Sequence, residues 1–172
     1  MTERPVLHLV VCAAGPAEHI DELVDLLIAE GWRVCVIVSP TAARWLDRAA
    51  LQDKTGYLVR VEWRMPGDPE PHPPADVVVA APVTFNTMAK WALGINDTLA
   101  LGVLNESMGA GLPIVAFPHV KAELAAHPAY DGHLAVLRAA GVVLADGNPL
   151  TPALGPGRWG LVIEALRLAW PS

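Results

Sequence analysis

Apolar runs bounded by turn residues recur along the whole chain, and most of them are rich in valine and isoleucine. Continuous apolar runs of this length are typical of parallel strands whose two faces are both buried. The pattern predicts six such strands, at residues 6–14, 33–38, 57–63, 76–82, 113–118 and 141–145.

The segments between these runs have helical spacing. In residues 16–31 apolar residues recur on one helical face, Pro16 suits the first turn, and Gly31 ends the helix. Two later helices are predicted at residues 84–94 and 96–111. Strands that alternate with helices predict the α/β class: a single doubly wound, Rossmann-like or flavodoxin-like parallel sheet of about six strands with helices on both faces.

The length of 172 residues favours one domain, residues 1–172. Two segments rich in proline or glycine are predicted to be loops. The first, residues 64–76, holds five prolines and precedes the fourth predicted strand. The second, residues 147–157, resembles a flap. Both interrupt the alternation of strands and helices because proline cannot take part in a regular ladder.

The composition narrows the classes of protein. Hydrophobic residues make up 53% of the chain, charged residues make up 17%, and the mean hydropathy is +0.37. Such an apolar chain favours a homo-oligomer that buries further surface between subunits. The net charge of −6, without a stripe of lysine and arginine, argues against a nucleic-acid-binding protein.

Neither membrane insertion nor secretion is predicted. No stretch reaches the roughly 18 apolar residues that a membrane-spanning helix needs, and the start of the chain lacks the cationic segment of a signal peptide. Cys12 and Cys35 have no metal-type spacing, so no metal site is predicted. Both are interpreted as reduced core residues of a cytoplasmic protein, with a disulfide or redox role as the alternative.

Ligands of doubly wound sheets bind at the carboxyl ends of the strands. The first such turn lacks the GxGxxG fingerprint of dinucleotide binding. A helix start there could still hold a single phosphate, unless Gly15 only permits a tight turn. Ser39 and Thr41 offer hydroxyl groups at a second helix start, where Ser39 is equally interpreted as an ordinary N-cap.

Residues 80–102 carry an unusual set of polar side chains. Thr84 and Asn86 lie where a strand ends and a helix begins, and a cap would need only one of them. Asn86 and Lys90 share a helical face, and Asp97 follows one heptad further on. Because polar groups along an apolar helix are costly unless paired, contacts with a cofactor or another subunit are predicted here.

The same stretch contains an ordered series of residues: Pro82, Thr84, Asn86, Thr87, Lys90, Gly94 and Asp97, followed by Thr98. This series resembles the signature of the homo-oligomeric flavin-containing cysteine decarboxylases, which include phosphopantothenoylcysteine decarboxylase and the epidermin-type peptidyl-cysteine decarboxylases. Their pattern is Pro-x-Ser-x-Asn-Thr, then Lys, then Gly-x-x-Asp-Asn. Thr98 stands here in place of the last Asn.

The resemblance implies that FMN binds between the subunits of a trimer, or of a dodecamer built from trimers. The cofactor-binding residues that it implies are Gly15, Ser39, Thr41, Thr84, Asn86, Thr87 and Asp97. The phosphate would lie at the first two turns and the isoalloxazine ring at the third. Asp97 would also be an interface residue, and Trp91 is a candidate for contact with the flavin or a neighbouring subunit.

The catalytic positions depart from the family pattern. His72 is the histidine in the loop that carries the family's catalytic histidine, and it is interpreted either as the base or as a solvated loop residue. The family motif Pro-x-Met-Asn falls on residues 118–121, where Lys121 replaces the Asn that would hold the substrate carboxylate. His119, beside it, is interpreted either as a substitute acid or base or as a solvent-facing side chain.

The function that this resemblance implies is FMN-dependent oxidative decarboxylation of a cysteine-type substrate. That substrate would be the C-terminal cysteine of a peptide or a small thiol-carboxylate. The alternative is an FMN-binding protein of the same fold that lacks decarboxylase activity. Such a protein would act as a regulatory or binding subunit or carry out different flavin chemistry in a biosynthetic pathway.

Overall fold

A computed structural model describes residues 4–145 and 159–171. Within them the chain forms a parallel sheet of five strands, in the order β2-β1-β3-β4-β5. The strands are β1 (Val6–Val11), β2 (Arg33–Val38), β3 (Val77–Val83), β4 (Ile114–Pro118) and β5 (Val143–Leu144). The predicted α/β class and parallel sheet are confirmed, with five strands rather than about six.

Seven helices in the described residues surround the sheet. They are α1 (Ile20–Ala29), α2 (Arg48–Thr55), α3 (Phe85–Ala92), α4 (Leu99–Gly109), α5 (Ala122–Ala125), α6 (Tyr130–Ala139) and α7 (Trp159–Ala169). Helices α1, α2 and α7 contribute to the core on one face of the sheet, and α3, α4 and α6 contribute to the core on the other face. Helices thus cover both faces of the sheet.

Alternation along β1 decides which side chains meet each core. Leu7 and Leu9 point to the face covered by α1 and α7, whereas Val10 points to the face covered by α3 and α4. Successive strand residues point to opposite faces, so His8 must share the face of Val10.

The prediction of a third strand at residues 57–63 is wrong. Only Arg60 pairs with the edge strand β2, through one bridge to Ile37. The adjacent amide, that of Val59, donates to the Gln52 side chain at 3.0 Å. An apolar run at the sheet edge therefore makes one bridge and then enters the proline-rich loop.

The polar stretch after β3 is not one continuous helical wall. Helix α3 ends at Ala92, and Gly94 has the left-handed φ of +72° that glycine tolerates best. Helix α4 begins only at Leu99, with Thr98 as its N-cap. The heptad relation expected between Lys90 and Asp97 therefore does not exist, because a turn separates the two helices.

The predicted loop at residues 64–76 contains no helix or strand. The predicted flap at residues 147–157 lies outside the described residues. Among the described helices, none has both the length and the apolar character needed to cross a membrane.

Candidate functional site

The carboxyl ends of four adjacent strands meet at one edge of the sheet. Three backbone hydrogen bonds join these ends: Ser39 N–H donates to Val11 O at 2.9 Å, Cys12 N–H to Pro82 O at 3.0 Å, and His119 N–H to Val83 O at 2.9 Å. The turns that follow β1, β2, β3 and β4 are thereby held side by side. We refer to this group of turns, at Gly15, Ser39–Thr41, Thr84–Asn86 and His119–Lys121, as the carboxyl edge.

The first turn is open and lies against the fourth. Gly15 is exposed and begins a short 3-10 turn, Gly15–His19. A Cβ atom at Gly15 would lie 3.9 Å from His119 Nε2, which is ordinary van der Waals contact. The φ of Gly15 lies outside the left-handed region. Gly15 thus lies in a tight turn, closed by the bond from Ala17 N–H to Ala14 O at 2.8 Å, without needing the conformational freedom of glycine.

The second turn is capped by Ser39. Its Oγ accepts a hydrogen bond from Ala42 N–H at 3.2 Å, as the N-cap interpretation expects. A hydroxyl has a proton as well as lone pairs, so Ser39 can still donate to an anion while it accepts this bond. Thr41 is exposed and makes no side-chain cap. The turn therefore presents two hydroxyl groups at the edge.

The third turn is ordered by a small hydroxyl network. Thr84 is the N-cap of α3 and accepts from Thr87 N–H at 3.2 Å, and its own hydroxyl donates to Thr87 Oγ1 at 3.1 Å. Thr87 also accepts from the thiol of Cys12 at 3.5 Å. Burial raises the pKa of that thiol, although its bond to Thr87 acts in the opposite direction. Thr87 is 8% exposed, so it stabilises the turn through these buried hydrogen bonds and does not face the surface.

Asn86 is the exposed member of this turn. Its side chain makes no hydrogen bond to the part of the chain that the structure describes. The neighbouring Phe85 stacks on Tyr130 with ring centroids 6.0 Å apart and meets His127 edge-on at 5.6 Å. This aromatic group beside the edge was not predicted, because the sequence places Phe85 and Tyr130 in separate helices and gives no sign that α3 and α6 pack together.

The fourth turn presents one imidazole and one ammonium group. His119 is half-buried, and Lys121 is exposed at the start of α5. Val120, between them, is 5% exposed and belongs to the core on the α3 face. The turn thus directs Val120 inward and leaves its two basic neighbours closer to the surface.

Asp97 lies away from this group. Its carboxylate pairs with Lys90 Nζ at 2.6 Å beyond the far end of α3, a helix of eight residues and so about 12 Å long. Nearby, the Asn105 amide donates to Ile95 O at 3.0 Å. Lys90 and Asp97 are paired with each other, and Asn86 and Asn96 are exposed to solvent, which removes the cost that had suggested a cofactor contact. The predicted role of Asp97 at an interface stays a prediction.

Trp91 is fully buried, with an exposure of 0%, in the core under α3. The prediction that it contacts a flavin or a neighbouring subunit is therefore wrong for its side chain. Its position on the inner face of an amphipathic helix explains the error, since a large aromatic residue fits a helix interface and a ligand pocket equally well.

His72 also lies apart from the carboxyl edge within the chain. It is 3% exposed, and its Nε2 lies 2.6 Å from Leu58 O. Its ring meets that of His8 with centroids 5.5 Å apart, and His8 precedes the end of β1 by three residues, or about 10 Å. The solvated-loop interpretation is wrong, because the proline-rich loop folds His72 inward. Burial lowers the pKa of both rings, that of His8 to about 4.

The carboxyl edge combines groups that suit an anionic, hydrogen-bonding ligand. Hydroxyl groups line two turns, an exposed amide lies at the start of α3, and an ammonium group lies at the start of α5. A half-buried imidazole lies among them. Helix N-termini and hydroxyl donors favour phosphate groups.

Comparison with known proteins identifies the family of this chain. The family model described as Flavoprotein matches residues 1–160. A probable phosphopantothenoylcysteine decarboxylase of Arabidopsis thaliana is 28% identical over 160 residues, which cover 84% of this chain and 78% of that protein.

Solved structures show the same fold. A phosphopantothenoylcysteine (PPC) decarboxylase mutant, C175S, complexed with pantothenoylaminoethenethiol superposes with a TM-score of 0.76 at 22% identity, covering 99% of this chain and 100% of that chain. The FMN-dependent cysteine decarboxylase TvaF from thioviridamide biosynthesis superposes with a TM-score of 0.78 at 24% identity, covering 97% and 99%. The family match extends over nearly the whole chain, and the protein belongs to the Flavoprotein family.

Proposed function

We propose that the protein binds FMN at the carboxyl edge and catalyses the oxidative decarboxylation of a cysteine-type substrate. The observation that carries this proposal is the convergence of the Gly15, Ser39, Thr84 and His119 turns, which brings hydroxyl, amide and imidazole groups together. The fold similarity to an FMN-dependent cysteine decarboxylase supports the choice of flavin.

The residues at this edge fit FMN. The phosphate would be held by the hydroxyl groups of Ser39 and Thr41 and by the open turn at Gly15, where no side chain obstructs its approach. The ring would lie against Thr84 and Asn86. Asn86 suits a flavin edge because its exposed amide both donates and accepts hydrogen bonds. The buried Thr87 would act on the cofactor only through Thr84.

FMN, when bound, would supply the two-electron oxidation of the cysteine Cβ–S unit, from CH2–SH to CH=S, and the C=S group would then permit loss of CO2 from Cα. The protein then has to orient the carboxylate and manage a proton. Lys121 is exposed beside the edge and would pair with the substrate carboxylate as a point charge. His119 would hold or accept a proton, because its ring lies beside the Gly15 turn, where the ligand is proposed to bind.

The proposal assigns the base to His119 instead of His72. His72 Nε2 is bound to Leu58 O inside the chain. Within its own chain, His72 would have to break that bond and leave its buried position to reach the carboxyl edge. His119 already lies at that edge, beside the Gly15 turn. The catalytic role of His72 stays a prediction from family resemblance, and His119 is the residue that the geometry favours.

Anaerobic addition of a peptide ending in cysteine to the FMN-loaded protein tests the activity. We expect the flavin absorption to bleach and the peptide to lose about 46 mass units, equal to CO2 plus two hydrogens. A peptide ending in serine is the matched control. A loaded protein that bleaches with neither peptide would contradict the decarboxylase proposal.

One observation favours a second function, FMN binding without decarboxylation. The family motif has Met and Asn at the positions of Val120 and Lys121, and here Val120 is buried at 5% exposure and makes no surface for a substrate. A chain that has lost this contact could serve as a binding or regulatory subunit or support different flavin chemistry. FMN retention with no turnover of any thiol-carboxylate would favour this alternative.

We also propose that the protein is a homo-oligomer, a trimer or a dodecamer of trimers, in the cytoplasm. Large apolar side chains are exposed on the described chain, among them Trp45, Trp63, Met65, Leu93 and Leu168. Subunit contacts would remove part of this surface from water. Light scattering coupled to size-exclusion chromatography tests the assembly, and a monomer at micromolar concentration would contradict it.

A further inference from the structure

A second cluster of side chains lies away from the carboxyl edge, on the face of the sheet that α3, α4 and α6 cover. In the parallel pairing of β1 with β2, His8 is the register partner of Cys35. The neighbours of both residues along their strands point into the opposite core, so His8 and Cys35 share one face. Adjacent strands lie about 4.8 Å apart, which places a histidine and a thiol side by side.

The proline-rich loop brings a third group to the same place. His72 folds over His8, with ring centroids 5.5 Å apart and an interplanar angle of 63°. One ring nitrogen of each histidine and the sulfur of Cys35 all lie within 4.8 Å of one another. Residues separated by 64 positions along the chain thus converge, which no local spacing could reveal.

The hydrogen bonds of the two rings determine which nitrogen is available. His8 Nε2 lies 2.9 Å from Pro73 O, and His72 Nε2 lies 2.6 Å from Leu58 O. A carbonyl oxygen only accepts, so each Nε2 must carry the proton and each neutral ring keeps its lone pair on Nδ1. Metal-binding histidines are commonly oriented by this type of bond from the other ring nitrogen to a backbone carbonyl.

His72 Nδ1 gives an independent sign of a ligand. It is buried and has no hydrogen-bond partner among the described residues, in a side chain that is only 3% exposed. A buried lone pair without a donor is costly. A cation bound to it would remove that cost.

The surroundings can accommodate a positive ion. A cavity of about 390 Å³ adjoins both histidines and is also lined by Arg60, Glu70 and Glu106. Arg60 is already paired with Glu70 at 2.8 Å. The carboxylate of Glu106 can therefore offset part of the charge of a bound cation. A thiolate at Cys35 would add a second negative charge next to the ion.

We propose that His8, Cys35 and His72 bind a Zn²⁺ ion, with the fourth coordination position open to the cavity. Two imidazoles and a thiolate form a donor set that zinc prefers. The ion would clamp the proline-rich loop, through His72, to strands β1 and β2. This site is separate from the carboxyl edge, and its binding of Zn²⁺ depends on neither FMN nor decarboxylation.

Zinc binding requires a modest contraction of the cluster. Zn–N bonds of about 2.0 Å and Zn–S bonds of about 2.3 Å place tetrahedral ligands roughly 3.3–3.7 Å apart. Separations of up to 4.8 Å must therefore shorten by no more than about 1.5 Å. Rotation about the Cα–Cβ bond of Cys35 and small tilts of the rings can provide this movement.

The test begins with the full-length wild-type protein, stripped with a chelator and titrated with Co²⁺ as a spectroscopic substitute for Zn²⁺. We expect one ion per chain and a near-ultraviolet thiolate-to-cobalt absorption band, which Zn²⁺ then displaces. Binding without that band, or no binding, would overturn the proposal. This outcome does not depend on whether any variant folds.

Variants then assign the ligands. Cys35→Ser and His8→Gln should each weaken Zn²⁺ binding by about 100-fold or more. Cys12→Ser is the matched control, since Cys12 is the other buried thiol and bonds to Thr87 instead of lying beside the histidines. It should leave Zn²⁺ affinity unchanged within about twofold. Equal affinity in Cys35→Ser and wild type would contradict the assignment.

Discussion

The carboxyl edge and the proline-rich loop each carry a candidate histidine, and they differ in what surrounds its ring. At the carboxyl edge, His119 is half-buried and reaches toward an open glycine turn. In the proline-rich loop, His72 is buried at 3% exposure and bound to a backbone carbonyl. The first position places a ring beside the proposed ligand site, and the second suits a fixed structural contact.

This comparison shows why the loop position of a histidine is a poor guide to its role. His72 lies in the segment where the family resemblance expects a base, and His119 lies in a motif that has changed. A general base must come within hydrogen-bond reach of the proton that it removes. His119 is the more accessible of the two side chains, so it replaces His72 as the first candidate. The following variants test the contrast, from the largest expected effect to the smallest.

His119→Gln should have the largest effect on turnover. Loss of a general acid or base typically lowers kcat by about 10²- to 10⁴-fold. Single-turnover bleaching with a cysteine-ended peptide measures this rate. His127→Gln is the control, since His127 packs on Phe85 near the same edge. Equal rates in His119→Gln and wild type would remove His119 from the reaction.

His72→Ala should act on stability. It leaves the Leu58 carbonyl without its donor and opens space in a buried pocket, which together cost about 2–4 kcal/mol. Urea unfolding measures the loss, and FMN affinity should not change. A variant that keeps its stability but loses turnover would restore His72 as the base.

Asn86→Ala should weaken FMN binding by about 10- to 100-fold, the equivalent of one or two hydrogen bonds. Asn86 is exposed, so the fold should not change. Asn96→Ala provides the control because Asn96 is also exposed but lies in the turn beyond α3. Fluorescence titration of both variants separates a ring contact from a general surface effect.

Thr84→Ala and Thr98→Ala should each cost about 1 kcal/mol of stability, because each removes the N-cap of a helix. Only Thr84→Ala should also weaken FMN binding, since Thr98 caps α4 away from the carboxyl edge. Thermal unfolding and FMN titration of the pair measure the two effects separately. A parallel loss of FMN in Thr98→Ala would mean that Thr84 acts only through the fold.

Much of the fold could be predicted from the sequence. Continuous valine-rich runs identified β1, β2, β3 and β4 within a few residues. A strand that is buried on both faces is apolar along its whole length, so its ends are clear in the sequence. The run at residues 57–63 misled because edge position and the following prolines limit it to one bridge. The break at Gly94 was predicted between the two helices, and its left-handed φ of +72° separates α3 from α4 in the structure.

The site was predicted in part. The strand-end rule gathered Gly15, Ser39, Thr84 and His119 correctly, since parallel strands direct their carboxyl ends to one edge. The same rule could not place His72, whose position depends on how a proline-rich loop folds. The strand-end rule also could not predict that His8 lies beside Cys35. Their proximity depends on the register between β1 and β2, which the positions of the two residues in the sequence do not determine.

Titration of the flavin-free protein with FMN, compared with riboflavin, tests the central claim most directly. If the carboxyl edge holds both phosphate and ring, FMN should bind with a Kd of about 1 μM or below, and riboflavin about 100-fold more weakly. Ser39→Ala should narrow that gap. No saturable quenching of FMN fluorescence, or equal affinity for FMN and riboflavin, would contradict the assignment of the phosphate turns.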